Sequence, residues 1–320
     1  MFRPKILITG ASGFIGRRLT ERLSEEATYT IRACSRNPYL GWSGGVEAVS
    51  VPEINRRTEW GHSLEGCEVV VHLAAKVQQM HDLAEDHLLQ FHRVNVEGTM
   101  NLAKQASACG VRRFLFLSSV KVHGESTMPD QAFTAFAPPN PEDAYARSKW
   151  EAEQGLRALA TKTGMELTVI RPSLVYGPEV SGNFGKLLRW LKRGIPLPFG
   201  AISNRRSLVA LDNLVDLIVT CINHPEAANQ TFLVSDNEDL STTQLLRRIA
   251  VALEVPVRLL PVPTPILDVV FRMLGKPELS LRLLGSLQVD LSSTKETLGW
   301  TPPLSVEEGL LRAVEPLRRT

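Results

Sequence analysis

Lys5-Ile6-Leu7-Ile8-Thr9 leads straight into Gly10-Ala11-Ser12-Gly13-Phe14-Ile15-Gly16, which opens a helical pattern running to about residue 25. An apolar run, a glycine-rich turn and a helical period make a strand–turn–helix unit. Glycines at such a turn permit a tight bend. They also let backbone N–H groups approach a pyrophosphate at the helix N-terminus, where the helix dipole favours negative charge. The spacing is GxxGxxG rather than the GxGxxG of many dehydrogenases, but the physical requirement is the same. Gly10, Ser12, Gly13, Phe14, Ile15 and Gly16 are therefore the expected cofactor-binding loop.

Outward from this unit, apolar runs at 30–35, 69–73, 113–118 and 167–171 alternate with helical patterns at about 14–25, 92–109 and 144–163. Strands alternating with helices indicate βαβ units and a parallel sheet. The runs show little polar alternation, as in strands covered on both faces. The expected fold class is α/β, a Rossmann-like doubly wound parallel sheet. After Pro172 the chain turns Gly/Pro-rich, through Gly177-Pro178 and Gly194-Ile195-Pro196-Leu197-Pro198. A helix near Asp212, a strand at 231–234 and a helix capped by Ser241 follow. The expected division is an NAD(P)-binding Rossmann domain, 1–172, and a smaller C-terminal α/β substrate lobe, 173–320, partly interwoven with it.

At 320 residues, 43% hydrophobic and 22% charged, the chain can bury a large core. A net charge of +2 with scattered Lys and Arg supplies no basic face for nucleic acid. Cys34, Cys67, Cys109 and Cys221 have no metal-ligand spacing, so they read as reduced thiols and no metal is expected. Arg3 and Lys5 run directly into the first strand without a secretory signal, and no apolar run is long enough to span a bilayer. A cytoplasmic protein without membrane insertion is the expectation. The apolar, Pro-rich stretch 255–274 leaves contact with a membrane or a partner open. Its prolines and Arg258, Asp268 and Arg272 favour a loop and a packed helix.

Ser35-Arg36 ends the second strand, where an NAD site usually carries an Asp or Glu for the ribose 2′-hydroxyl. Arg36, helped by Arg17 or Arg18, could pair with a 2′-phosphate instead. NADP(H) is the preferred expectation, with NAD(H) as the alternative. Tyr145-Ala146-Arg147-Ser148-Lys149 is a YxxxK motif whose ends share one helix face. A nearby ammonium stabilises a tyrosinate and draws the phenol toward neutrality. Tyr145 then becomes a general acid or base for a hydroxyl or ketone oxygen, and Lys149 can reach both Tyr145 and the nicotinamide ribose.

The glycine loop, then Ser118-Ser119-Val120-Lys121-Val122-His123-Gly124, then YxxxK, resembles the extended short-chain dehydrogenase/reductase family of NAD-dependent epimerases and dehydratases, over nearly the whole chain. The resemblance implies a catalytic set of Ser119, Tyr145 and Lys149, with Ser118 as runner-up to Ser119. Ser119 and Tyr145 would also touch the substrate. It implies that Leu73, Ala74 and Ala75 pass beside the cofactor, that Asn95 orders a central helix near the active site, and that Pro172 and Val175 line the nicotinamide side, with Tyr176 near the ring. Asn183 and Arg206 would bind the diphosphate of a UDP-sugar. Arg205 competes with Arg206, and Arg282 is the candidate second arginine. His123 replaces a usual Tyr and reads either as a substrate contact or as a packed residue. Val289-Asp290-Leu291-Ser292-Ser293-Thr294-Lys295 and Leu298-Gly299-Trp300 resemble the family's terminal signature. A homodimer through the Asn95 and Tyr145 helices is also implied.

Within that family, 4,6-dehydratases carry an Asp-Glu pair after the catalytic Ser/Thr, and epimerase-reductases acting at C3 and C5 carry a Cys there. Val120 and Lys121 match neither, which leaves chemistry at C4. The first expectation is 4-keto reduction of a UDP-4-keto-6-deoxy-N-acetylhexosamine, because Arg36 suits NADPH and the chain resembles O-antigen-cluster reductases that make UDP-N-acetylquinovosamine. The alternative is a UDP-hexose or UDP-N-acetylhexosamine 4-epimerase with tightly bound NAD. A non-catalytic dinucleotide sensor is disfavoured by the intact Ser/Tyr/Lys set. A hydroxysteroid- or flavanone-type reductase is disfavoured by Arg206 and Asn183.

Overall fold

The computed structural model describes residues 3–37, 41–42, 45–77, 84–128, 130–180 and 182–318. Among these the strands are β1 (Lys5–Thr9), β2 (Thr30–Ser35), β3 (Val46–Ser50), β4 (Cys67–His72), β5 (Arg113–Leu117), β6 (Glu166–Pro172), β7 (Leu174–Tyr176), β8 (Arg206–Ala210), β9 (Gln230–Val234) and β10 (Asp239–Leu240). Seven of them form one parallel sheet in the order β3-β2-β1-β4-β5-β6-β9. The chain winds outward in both directions from β1 and β4. Their carboxyl ends therefore flank the switch-point crevice where ligands of such sheets bind.

The strands are buried on both faces, which is why their sequences read as continuous apolar runs. Ile6, Ile8, Val69, Val71 and Leu115 pack against the Phe14–Glu26 and Leu211–Asn223 helices. Leu7, Val70, Phe114, Phe116 and Val169 pack against the Thr99–Ala108 and Ala144–Thr163 helices. Each such side chain contributes about 1.5–3 kcal/mol. β3 has no counterpart in the sequence reading. It is a half-exposed edge strand with Glu47 and Ser50 turned to solvent, and it offers too few apolar residues to read as a run.

The helix expected from residue 92 begins at Ala84 and continues through a π-helical segment, His92–Gly98, into Thr99–Ala108. β7 pairs parallel and β10 antiparallel with β8 in a separate three-stranded sheet. Phe184, Leu188, Leu246, Ile249, Leu310 and Val314 build the core beneath it. Ser241 caps the Thr242–Leu253 helix in a capping box with Gln244. The chain beyond residue 172 also returns to the large sheet as β9. The terminal signature anchors that return: Thr294 Oγ1 donates to the Leu233 carbonyl at 2.8 Å and Trp300 Nε1 to Asp216 at 2.8 Å. Cys34, Cys67 and Cys221 are buried free thiols and Cys109 is an exposed one.

Candidate active site

At the carboxyl end of β1, Gly10 adopts φ +69°, the left-handed region that favours glycine, and a Cβ there would lie 2.9 Å from the Ala74 amide. A Cβ on Gly16 would lie 2.1 Å from the Gly10 carbonyl. Gly13 starts the Phe14–Glu26 helix with no side-chain cap. The loop is thus a close cradle of backbone at a helix N-terminus that no side chain of its own closes, and it fits a dinucleotide diphosphate. Ser12 and Gly13 are exposed, and Phe14 and Ile15 half-buried. Beside the loop, Thr9 Oγ1 accepts from the Ala74 amide at 3.3 Å and lies 2.7 Å from His72 Nδ1. His72 Nε2 lies 2.9 Å from Thr99 Oγ1. Burial pushes His72 down to about 3, with Lys149 acting the same way, so a neutral ring holds Leu73, Ala74 and Ala75 against the glycines.

Arg36 is exposed at the end of β2. Arg18 does not join it. Its Nε donates to Asp212 at 2.6 Å, and the other Asp212 oxygen holds Arg312 at 2.8 Å, a clamp between three helices. Arg17 pairs with Glu179 at 3.7 Å.

Where β5 ends, adjacent serines part company. Ser118 turns inward and donates to Glu153 Oε1 at 2.5 Å. Ser119 stays half-buried, and its Oγ accepts from the Lys121 amide at 3.2 Å as the cap of a short 3-10 turn. The Ala144–Thr163 helix, capped by Asp143 through the Ala146 amide at 2.6 Å, carries Tyr145 and Lys149 on the facing side. Lys149 Nζ donates to the Leu117 carbonyl at 2.8 Å and lies 5.9 Å from the Tyr145 ring centroid. Burial brings Lys149 down to about 7, opposed by Glu153. The Tyr145 phenol is held above its ordinary range, by burial first and the Asp143 carboxylate second. The depressed phenol expected from the YxxxK spacing is therefore not produced by the protein's own groups. The ammonium is aimed at a carbonyl, and desolvation dominates.

Asn95 sits buried in the π-helical segment. It accepts from the Lys76 amide at 2.8 Å and donates to the Lys76 carbonyl at 3.1 Å and to Ser148 Oγ at 3.0 Å. The π segment thus ties the strand end after Ala75 to the Tyr145 helix, a use of this geometry that recurs at functional sites.

Pro172 is buried and Val175 half-buried at the β6–β7 junction. Tyr176 does not face a cofactor ring. It is fully buried, donates to Asp236 Oδ2 at 2.8 Å and packs on Phe184, because alternation along β7 turns it into the core of the smaller lobe. His123 is 2% exposed, stacks on Phe133 and has Nε2 2.8 Å from Arg171 Nη1. Burial, then Arg171, lowers it to about 4, so it is a neutral packed side chain rather than part of the cleft wall. Arg206 Nη1 donates to the Gly285 carbonyl at 3.0 Å. Burial, then the positive charge of Arg282, brings it down to about 10. Arg282, on the Pro277–Leu284 helix, pairs with Glu278 at 3.7 Å. Arg205 points outward to Asp130 at 2.6 Å. Asn183 is half-buried near the start of the Gly182–Lys192 helix.

Residues 6–235 match the NAD dependent epimerase/dehydratase family. The chain belongs to this family. A Vibrio cholerae UDP-glucose 4-epimerase is 46% identical over 314 residues, covering 98% of this chain and 95% of that protein. An Escherichia coli O157:H7 N-acetyl-alpha-D-glucosaminyl-diphospho-ditrans,octacis-undecaprenol 4-epimerase is 28% identical over 97% of this chain and 94% of its own. The solved UDP-glucuronic acid 4-epimerase of Bacillus cereus in complex with NAD superposes with a TM-score of 0.79 at 18% identity, over 98% of this chain and 99% of that one, and shares the fold. The chain is accordingly an enzyme of this epimerase/dehydratase type.

Two groups beside the site escaped the sequence reading. Glu153 falls four residues after Lys149, so Tyr145, Lys149 and Glu153 lie on one helical stripe, a periodicity visible in the sequence. Lys121 donates to Glu125 at 2.6 Å and to Asp143 at 2.7 Å, and only the fold brings these three together.

Proposed function

We propose that this enzyme is a UDP-hexose 4-epimerase that retains NAD, the alternative of the sequence reading rather than its first choice. The observation that carries the proposal is the 46% identity, end to end, with the Vibrio cholerae UDP-glucose 4-epimerase. Beside it stand the Ser119, Tyr145 and Lys149 set and the two candidate diphosphate arginines, Arg206 and Arg282. Preference for NADP(H) rested on the missing Asp or Glu at the end of β2, on Arg17 or Arg18 as helpers, and chiefly on Arg36. That side chain is exposed without Arg18 beside it, and the solved family member quoted above holds NAD.

In this reading Gly10, Ser12, Gly13, Phe14, Ile15 and Gly16 hold the dinucleotide diphosphate, with Leu73, Ala74, Ala75, Pro172 and Val175 along its length. Bound NAD supplies a reversible hydride acceptor. Ser119 hydrogen-bonds the oxygen on C4 of the sugar. Tyr145 takes the proton of that hydroxyl and later returns it. Lys149 orients the ribose and, when it carries its proton and turns from the Leu117 carbonyl, favours the tyrosinate. Arg206, Arg282 and Asn183 grip the diphosphate, so the sugar can turn over while its nucleotide stays fixed.

The test is incubation of the purified enzyme with UDP-glucose and no added nicotinamide, with product read by NMR. UDP-galactose should appear. Tyr145→Phe should lower kcat by about 10²–10⁴ while the co-purifying NAD is kept. Stoichiometric NADPH loss with a UDP-4-keto-6-deoxy sugar, and no hexose interconversion, would restore the reductase reading.

A further inference from the structure

The Thr264–Met273 helix buries a single residue, Leu267. At about 100° per residue, Leu267 and Phe271 point together toward the lobe, and Ile266, Val269, Val270, Met273 and Leu274 fill the adjoining arc of about 140°. That second arc faces away from the protein: Val269 is 55% and Met273 82% exposed. Leu260, four residues before the helix, is exposed as well. These six are drawn from sixteen large exposed apolar side chains among the described residues, so more than a third lie within fifteen positions. The apolar stripe is wider than the core needs, and a monomer rarely leaves such a cluster uncovered.

The helix is held firmly. Asp268 accepts from Arg272 at 2.9 Å and from Ser280 Oγ at 2.6 Å, which fixes the Pro277–Leu284 helix against it. Pro263 and Pro265 stiffen its start. The surrounding stretch, 255–286, carries four cations, Arg258, Arg272, Lys276 and Arg282, against Asp268 and Glu278. Arg258, Arg272 and Lys276 are exposed. No helix among the described residues is long and apolar enough to cross a membrane.

We propose that this face docks on an anionic membrane surface, with the apolar arc in the acyl–headgroup boundary and the flanking cations among the phosphates. A wide exposed apolar arc, with Arg258 and Lys276 in the chain on either side of the helix, is the composition of an interfacial helix. The charge argues against a second copy as the occupant, because a two-fold contact through this face would set like cations against each other. Arg282, on the next helix, pairs with Glu278 at 3.7 Å, which leaves Arg258 and Lys276 as the cations in excess along this stretch.

The experiment is co-sedimentation of the full chain with phosphatidylglycerol/phosphatidylethanolamine vesicles and with phosphatidylcholine vesicles, at low and high salt. The protein should partition onto the anionic vesicles and be released by salt. Val269→Asp with Met273→Asp should lower that partition by about tenfold or more. Arg258→Gln and Lys276→Gln should each lower it about fivefold. Turnover of soluble substrate and the thermal midpoint should be unchanged in all of them. The proposal is overturned if the wild type stays in the supernatant with both vesicle types. It is equally overturned if the double aspartate variant sediments as well as wild type, or if those aspartates instead dissolve a dimer found in solution. None of these readouts depends on which sugar the enzyme turns over.

Discussion

Two ionic clusters flank the end of β5, and they are built from the same kinds of side chain. Behind it, Glu153 receives Ser118 and both Arg171 Nε and Nη2, and Arg171 reaches on to His123. These members are buried, and the cluster meets solvent through Arg157, 3.8 Å from Glu153 and 41% exposed. In front of it, Lys121 bridges Glu125 and Asp143, and the Lys121 and Asp143 side chains are 25% and 26% exposed. Dryness separates their roles. Charges taken out of water must be fully paired and cannot be rearranged cheaply, so the rear cluster acts as a fixed post that sets the backbone at Ser118 and Ser119. The front cluster keeps partial solvent. It can tune its neighbours, Tyr145 through Asp143 and Arg206 through Glu125, and its structural part is confined to the Asp143 cap of the Ala144–Thr163 helix.

Several substitutions would break or sharpen this contrast. Glu153→Gln strands the Arg171 guanidinium without a counter-charge and should lower stability by about 3–5 kcal/mol, read as the urea midpoint. A loss under about 1 kcal/mol would mean that water reaches Arg171 and the post is not dry.

The two serines should then separate activity from stability. Ser119→Ala is expected to lower kcat by about 10²–10³, with an unchanged midpoint. Ser118→Ala should cost about 1–3 kcal/mol of stability by leaving Glu153 short of a donor, with kcat held within a few-fold. The opposite pattern would exchange their roles.

Smallest is the front cluster. Lys121→Met removes the cation that offsets Asp143, so the nearby anion disfavours the tyrosinate more strongly. The rising limb of kcat/KM against pH should move up by about one unit, about 1.4 kcal/mol. Asp143→Asn in the same chain keeps an oxygen for the Ala146 amide and should move the limb back. A limb that stays in place would assign Lys121 a purely structural part.

The cofactor end was legible because its signals are local. A glycine loop, the strand before it and the helix after it lie within 22 residues, and their spacing follows from the bond geometry of one turn. Tyr145 and Lys149 were legible for the same reason, one helical turn apart. Less was legible where alternation or distance decides the outcome. Tyr176 was expected beside the cofactor, yet β7 turns it inward to Asp236, 60 residues on. His123 stood open between a contact and a packed residue until Arg171, 48 residues away, drew it inside.

The sequence by itself determined the α/β class, the glycine-rich loop after β1, the YxxxK spacing and the family to which the chain belongs. All of these rest on short-range periodicity and on residue types whose chemistry is intrinsic. The tertiary structure alone decided which of two adjacent serines turns inward to Glu153, that Arg205 reaches out to Asp130, and that Arg18 serves Asp212 rather than joining Arg36. It also decided that Tyr145 is raised rather than lowered. The physical reason is common to these cases: burial and charge are sums over neighbours, and those neighbours are brought together by a sheet whose order is not the order of the chain.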